Sequence, residues 1–210
     1  MKNLLATFVL FMITIFNTEA QEGAWKIEKA QLPNGKPYEG TLTISKIGNA
    51  YDVDWKTSAG NYSGIGLLVN GKLLVGYGIN SAYGIVVYRA NPAQQRLEGV
   101  WTTSKLNGKT GTEVLIGKNG QYDVEGKNVD GSPYRGKLMM QKTGDTFQVQ
   151  WTVAGQTYNG VGFMSGDLLV IGYGFGQAFG TVEYHIIGNK AKGRWAMGGG
   201  SQLGIENLTR

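Results

Sequence analysis

Two pairs of carboxylates stand at matching places in this 210-residue chain: Glu28 with Glu125, and Glu113 with Glu206. The first pair falls in the opening strand-like run of each of two successive repeats, and the second pair falls in the closing run. In a closed antiparallel meander the first and last strands are hydrogen-bonded neighbours, so each repeat would bring two glutamates together. Two carboxyl groups about 5 Å apart suit the acid–base and nucleophilic steps of glycoside hydrolysis, and carboxylate oxygens also bind hard cations. The competing expectation is structural: strand glutamates face water or pair with a basic side chain.

Aromatic residues form the other candidate set. Tyr38, Trp55, Tyr62, Tyr77, Tyr88 and Trp101 recur as Tyr134, Trp151, Tyr158, Tyr173, Tyr184 and Trp195. Most should build a core, yet tyrosine and tryptophan also make platforms for sugar rings and anchors for protein interfaces. Tyr77 and Tyr173 are the best binding candidates, because their flanking glycines would leave the rings uncovered. The candidate ligand contacts are therefore Tyr77, Tyr173, Glu28, Glu113, Glu125 and Glu206, with no catalytic or metal-ligating residue among them.

Other chemistry is poorly supplied. The single histidine, His185, is replaced by Arg89 at the matching place in the first repeat, which reads as a surface position. Without cysteine or a second histidine, the common zinc sites and a Cys–His nucleophile are excluded. No serine sits in a nucleophile-elbow context. Tyr62-Ser63-Gly64-Ile65-Gly66 and Gly76-Tyr77-Gly78 lack the following helix that a phosphate site needs. No cofactor is expected.

The elements that must hold these residues are duplicated. Asn34-Gly35-Lys36-Pro37-Tyr38-Glu39-Gly40 returns as Asp130-Gly131-Ser132-Pro133-Tyr134-Arg135-Gly136, and Gly76-Tyr77-Gly78 as Gly172-Tyr173-Gly174. Gly99 and Trp101 match Gly193 and Trp195. Strand-like runs cover 25–29, 38–47, 51–57, 62–69, 72–78, 83–89, 97–104 and 112–116, and the second repeat gives the same order. The separators are turn signals such as Asn70-Gly71 and Asn107-Gly108. Alternation is clearest at Tyr51-Asp52-Val53-Asp54-Trp55, whose counterpart Phe147-Gln148-Val149-Gln150-Trp151 keeps the apolar face and changes every polar residue. No run has helical period. Thirty-four glycines with only four prolines belong to a curved sheet with tight turns rather than to disorder. Eight strands suffice to close a barrel around packed side chains. The fold class expected is all-β: two tandem up-and-down barrels of about eight strands, residues 21–117 and 118–210, joined near Gly117–Gln121. One larger sandwich or barrel built from both repeats is the alternative.

Residues 1–20 have the layout of a secretory signal peptide: basic Met1-Lys2-Asn3, an apolar run from Leu4 to Phe16, and small residues up to a cleavage site near Ala20. The mature chain is thus expected to be secreted or periplasmic and not inserted in a membrane. The absence of cysteine leaves its stability to the core rather than to disulfides. The formal charge of +5 is spread thinly, with ten Lys/Arg against six Asp/Glu in the first repeat and nine against seven in the second. No basic cluster of the kind that binds nucleic acid occurs.

The duplicated pattern Asp/Asn-Gly-x-Pro-Tyr-x-Gly, Trp, Tyr-x-Gly-x-Gly, Gly-Tyr-Gly, Gly-x-Trp and Gly-x-Glu-x-Leu resembles a family of small exported bacterial proteins often labelled fibronectin-binding. That resemblance covers nearly the whole mature chain and implies an extracytoplasmic β protein of adhesive or binding type, with no site residues to carry over. In layout, without shared motifs, the meander is also similar to the avidin and lipocalin group. Three functions follow: a non-catalytic module presenting a duplicated surface to an extracellular or envelope protein or glycan, a carrier of a small apolar ligand inside a barrel, and an enzyme using the duplicated glutamates.

Overall fold

The computed structural model describes residues 21–79, 82–174 and 178–210. The expected signal peptide and its cleavage site near Ala20 lie outside the described residues. Among the described residues, seventeen strands follow one another, with a short 3₁₀ turn at Pro92–Gln94. They form two closed antiparallel barrels of eight strands each.

The first barrel begins with β1 (Gly23–Gln31), the short β2 (Pro37–Tyr38), β3 (Gly40–Ile47), β4 (Ala50–Thr57), β5 (Gly60–Val69) and β6 (Lys72–Gly78). The chain then builds the whole second barrel: β7 (Tyr83–Asn91), β8 (Arg96–Thr103), β9 (Gly111–Lys118), β10 (Gln121–Lys127), β11 (Pro133–Thr143), β12 (Thr146–Val153), β13 (Gln156–Ser165) and β14 (Leu168–Gly174). It returns to finish the first with β15 (Phe179–Ile187), β16 (Lys190–Met197) and β17 (Gly204–Thr209). β17 pairs with β1 to close the first barrel, and β14 pairs with β7 to close the second. The two-residue β2 and β3 together match the unbroken β11.

The barrel boundaries therefore differ from the expected division at 117/118. Gly117–Gln121 is not a linker; it contains the β9–β10 hairpin inside the second barrel, with Lys118 opposite Gln121 and a two-residue turn at Asn119 (φ 56°) and Gly120 (φ 78°). The chain passes between barrels after β6 and after β14. The reason is the duplication itself. β6 pairs with β15 with Tyr77 opposite Gly180, and β14 pairs with β7 with Tyr173 opposite Gly84. These registers are equivalent, so β6 finds in β15 the same partner surface that β7 offers, and the repeats exchange their last three strands.

The crossing requires glycine. A Cβ on Gly76 would overlap the carbonyl oxygen of Gly84, and one on Gly172 would overlap that of Gly180. Around these backbone contacts the outer faces of the barrels bury a shared apolar layer. Ala50, Ile65, Leu67 and Leu74 of the first barrel meet Ile85, Val87, Leu168 and Val170 of the second. Val161 and Phe163 meet Phe179 and Ala196 in the counterpart layer. Its edge holds buried Glu183, paired with Arg194 at 2.5 Å and Lys72 at 3.5 Å.

Inside each barrel, alternation sets the core. Tyr51, Val53 and Trp55 of β4 are buried, as the pattern predicts. Many strand glycines serve the large inward rings. Tyr184 lies directly opposite Gly193, Trp195 opposite Gly204, and Tyr77 opposite Gly180. A Cβ at any of these glycines would run into its ring. These strand glycines are resting places for aromatic rings.

Candidate functional site

Each barrel encloses one glutamate. Glu206 on β17 is 4% exposed, and three donors converge on its carboxyl group. Tyr38 Oη donates to Oε2 at 2.6 Å, Trp55 Nε1 donates to Oε1 at 2.9 Å, and Tyr184 Oη also donates to Oε1. The second barrel repeats the arrangement on Glu113, 6% exposed. Tyr134 Oη donates at 2.9 Å, Trp151 Nε1 at 3.1 Å, and Tyr88 Oη completes the set. Both networks are composite. Glu206 and Tyr184 belong to the second repeat while Tyr38 and Trp55 belong to the first; around Glu113 the contributions are reversed.

Two phenols and an indole N–H all donate, so the carboxyl group is required only to accept, which is what an ionised carboxylate does. Burial works the other way and pushes the pKa of both glutamates above the ordinary carboxylate value; the three hydrogen bonds pull it back. Burial, reinforced by the neighbouring glutamate, raises the pKa of Tyr38, Tyr134, Tyr88 and Tyr184, which stay neutral donors. Among the described residues, no Lys or Arg forms an ion pair with Glu113 or Glu206.

The first barrel opens at one end into a cup of about 480 Å³. Glu206, Tyr38, Trp55 and Tyr184 form part of its wall with Tyr62, Tyr77 and Trp195, and Leu32, Phe179 and Val182 add apolar surface. Ile79, 58% exposed, and Met197, 45% exposed, belong to the rim. The rings pack against one another: Tyr77 lies 6.0 Å from Trp55 and 5.9 Å from Tyr62 between centroids. Trp195 meets Tyr38 edge to face at 6.3 Å, and its buried Nε1 has no hydrogen-bond partner. Trp101, its counterpart, meets Tyr134 at 6.2 Å and has the same orphaned N–H.

The sequence-derived candidates separate into two groups. Glu206 and Tyr77 meet in the cup wall. Glu113 and Tyr173 occupy the equivalent interior of the second barrel, where Tyr173 packs against Trp151 at 5.8 Å. Glu28 and Glu125 face outward and are exposed; Arg135 lies 3.7 Å from Glu125. The expected pairing of carboxylates is not formed. The strands are neighbours, with Ala30 opposite Glu206 and Gly126 opposite Glu113, but the glutamates stand on opposite faces, and a bulge between Ile27 and Lys29 displaces Glu28 further. Nor are the rings of Tyr77 and Tyr173 uncovered. Both are half-buried inside the barrels, and the hydroxyls donate to the carbonyls of Ala196 (3.1 Å) and Thr102 (3.2 Å).

The Tyr–Tyr–Trp–Glu network was within reach of sequence reasoning, since all four residues recur at matching places. Its signal was the inward parity of the closing glutamates: Glu113 and Leu115, like Glu206 and Leu208, share a buried face. Among the described residues no group of three or more His, Cys, Asp or Glu is placed to hold a metal ion, and no helix is long and apolar enough to cross a membrane. The chain matches no family model, no curated protein and no solved structure.

Proposed function

We propose that this is an exported, non-catalytic binding protein that holds a small, largely apolar molecule in the cup of its first barrel. The observation that carries the reading is the cup itself: about 480 Å³, bounded by aromatic and aliphatic side chains with one carboxyl group in its wall. That is the size and character of a small-molecule site, mostly apolar with a few placed polar groups. Glu206 is held rigidly by three donors, which suits recognition rather than proton transfer. Presentation of a duplicated outer surface to a protein or glycan loses its two named aromatics, since both turn inward. The export step rests on the character of residues 1–20.

Uptake of N-phenyl-1-naphthylamine, an uncharged apolar dye, by residues 21–210 tests the reading. A blue-shifted rise in fluorescence saturating near one equivalent is expected. Ala59→Trp and Ala178→Trp, both at exposed positions of the lining, should narrow the mouth and reduce it. Absence of uptake, or uptake indifferent to both substitutions, would sink the proposal.

A further inference from the structure

We infer that the ligand taken by this cup is an organic cation, an ammonium group on an apolar body; this rests on the cup being a ligand site. The starting point is charge. Glu206 accepts three hydrogen bonds and is asked to donate none, the arrangement that suits a carboxylate. A neutral acid would have to turn one of the two phenols from donor to acceptor. The resulting negative charge is enclosed in the barrel, and among the described residues no basic side chain is paired with it. A buried charge is stabilised by a partner of opposite sign, and Glu206, in the wall of the cup, is the one such charge that an entering molecule can approach.

The walls specify what kind of cation. A metal ion needs several oxygen or nitrogen ligands, and among the described residues Glu206 belongs to no group of three or more His, Cys, Asp or Glu that could hold one. The cup offers aromatic surface instead: Trp55, Tyr62, Tyr77 and Trp195, with Tyr38 and Tyr184 beside the carboxylate. Aromatic faces attract cations through the ring quadrupole, most strongly where water is displaced, and cages of such rings recognise quaternary ammonium groups. Leu32, Phe179 and Val182 then cover the apolar remainder of the ligand. A carboxylate fixed behind a set of rings gives long-range attraction without requiring direct contact between carboxylate and ligand.

The test compares benzyltrimethylammonium with neopentylbenzene, its uncharged carbon isostere. Each is titrated into residues 21–210 by displacement of N-phenyl-1-naphthylamine. The ammonium compound should bind about tenfold more tightly, a difference within reach of a desolvated cation–π contact supported by a nearby carboxylate. Glu206→Gln should erase most of that preference, while Glu113→Gln in the other barrel should leave it unchanged. Should Glu206→Gln fail to fold, Tyr62→Leu at the half-buried side of the cup takes its place and should lower the preference several-fold. Equal affinity for the two compounds, or tighter binding of the neutral one, overturns the cation assignment while leaving the cup as a ligand site. Failure of the dye and of both compounds to bind overturns both.

Discussion

The two enclosed glutamates are the chain's most consequential residues, because each satisfies three buried donors at once. Glu113→Ala would orphan the hydroxyls of Tyr88 and Tyr134 and the indole N–H of Trp151. Each unsatisfied buried group costs about 1–3 kcal/mol, so the variant should lose about 3 kcal/mol or more, read as a lower urea midpoint. A second expectation concerns alkali. The folded-state pKa values of Tyr38, Tyr88, Tyr134 and Tyr184 lie above the ordinary tyrosine value of 10.0. Their contribution is therefore fully present below about pH 10 and is lost as pH rises, because the unfolded chain ionises first. Each tyrosine should remove about 1.4 kcal/mol per pH unit above that point. The melting temperature should fall steeply above about pH 10, and phenolate absorbance should rise in one step with unfolding; independent titration near pH 10 in the folded state would contradict this. Acid should act differently. The raised pKa of Glu113 and Glu206 makes their contribution greatest below the unfolded carboxylate pKa, with loss as pH rises through the folded one, so protonating this pair should not drive acid unfolding.

At the scale of strands, glycine carries information that side-chain patterns do not. Gly76 and Gly172 stand where one strand crosses another backbone to backbone, and a methyl group would overlap a carbonyl oxygen. Gly76→Ala and Gly172→Ala should each force the barrels apart and lower the melting temperature by several degrees, as overpacking at about 1–3 kcal/mol would. By contrast Gly155→Ala, at a turn with open space around it but φ +76°, should cost only the backbone strain of about 1 kcal/mol. Strand positions were readable from the sequence because alternation and turn residues are local: Lys72–Gly78 is a strand from end to end as expected, and the other runs in the first repeat differ at their ends, apart from 38–47, which is broken at Glu39 into β2 and β3. The inward face of β4 was readable for the same reason. The outward face of Lys29 and the inward face of Ala30 were not, since a bulge between Ile27 and Lys29 shifts the alternation of β1 and nothing local in Lys26-Ile27-Glu28-Lys29 marks the irregularity. Nor was the setting of Tyr77, because the glycine that receives its ring, Gly180, lies on a strand from the other repeat.

At the scale of the whole molecule, duplication leaves one question open to two answers with nearly the same contacts. β7–β9 and β15–β17 are copies, so each can complete either barrel, and local patterns contain nothing that chooses between closing within a repeat and exchanging strands. What favours exchange is the layer between the barrels, where Leu74 and Ile65 meet Ile85 and Val170, and the hairpin contacts at its edges, where Asn49 N donates to Gly108 O at 3.2 Å and Asp145 N to Ser201 O at 2.8 Å. The exchanged topology makes the second barrel one uninterrupted segment, while the first is divided between 23–78 and 179–209. Residues 82–174 contain every strand of the second barrel and the whole Glu113 network, so this fragment should fold by itself with a cooperative melt and an ordered near-ultraviolet signal from Trp101 and Trp151. Residues 118–210 should also fold, by a different route: β14 turns back to β15, and β17 takes the place of β9 beside β10. Glu206 would then receive Tyr134 and Trp151 in place of Tyr38 and Trp55. The decisive comparison is Glu206→Ala in that fragment against Glu113→Ala in residues 82–174. Both should lower the melting temperature to a similar extent, since each removes the acceptor of one complete network. A stable 82–174 beside an unfolded 118–210 would show instead that the exchanged arrangement is the only one this sequence supports.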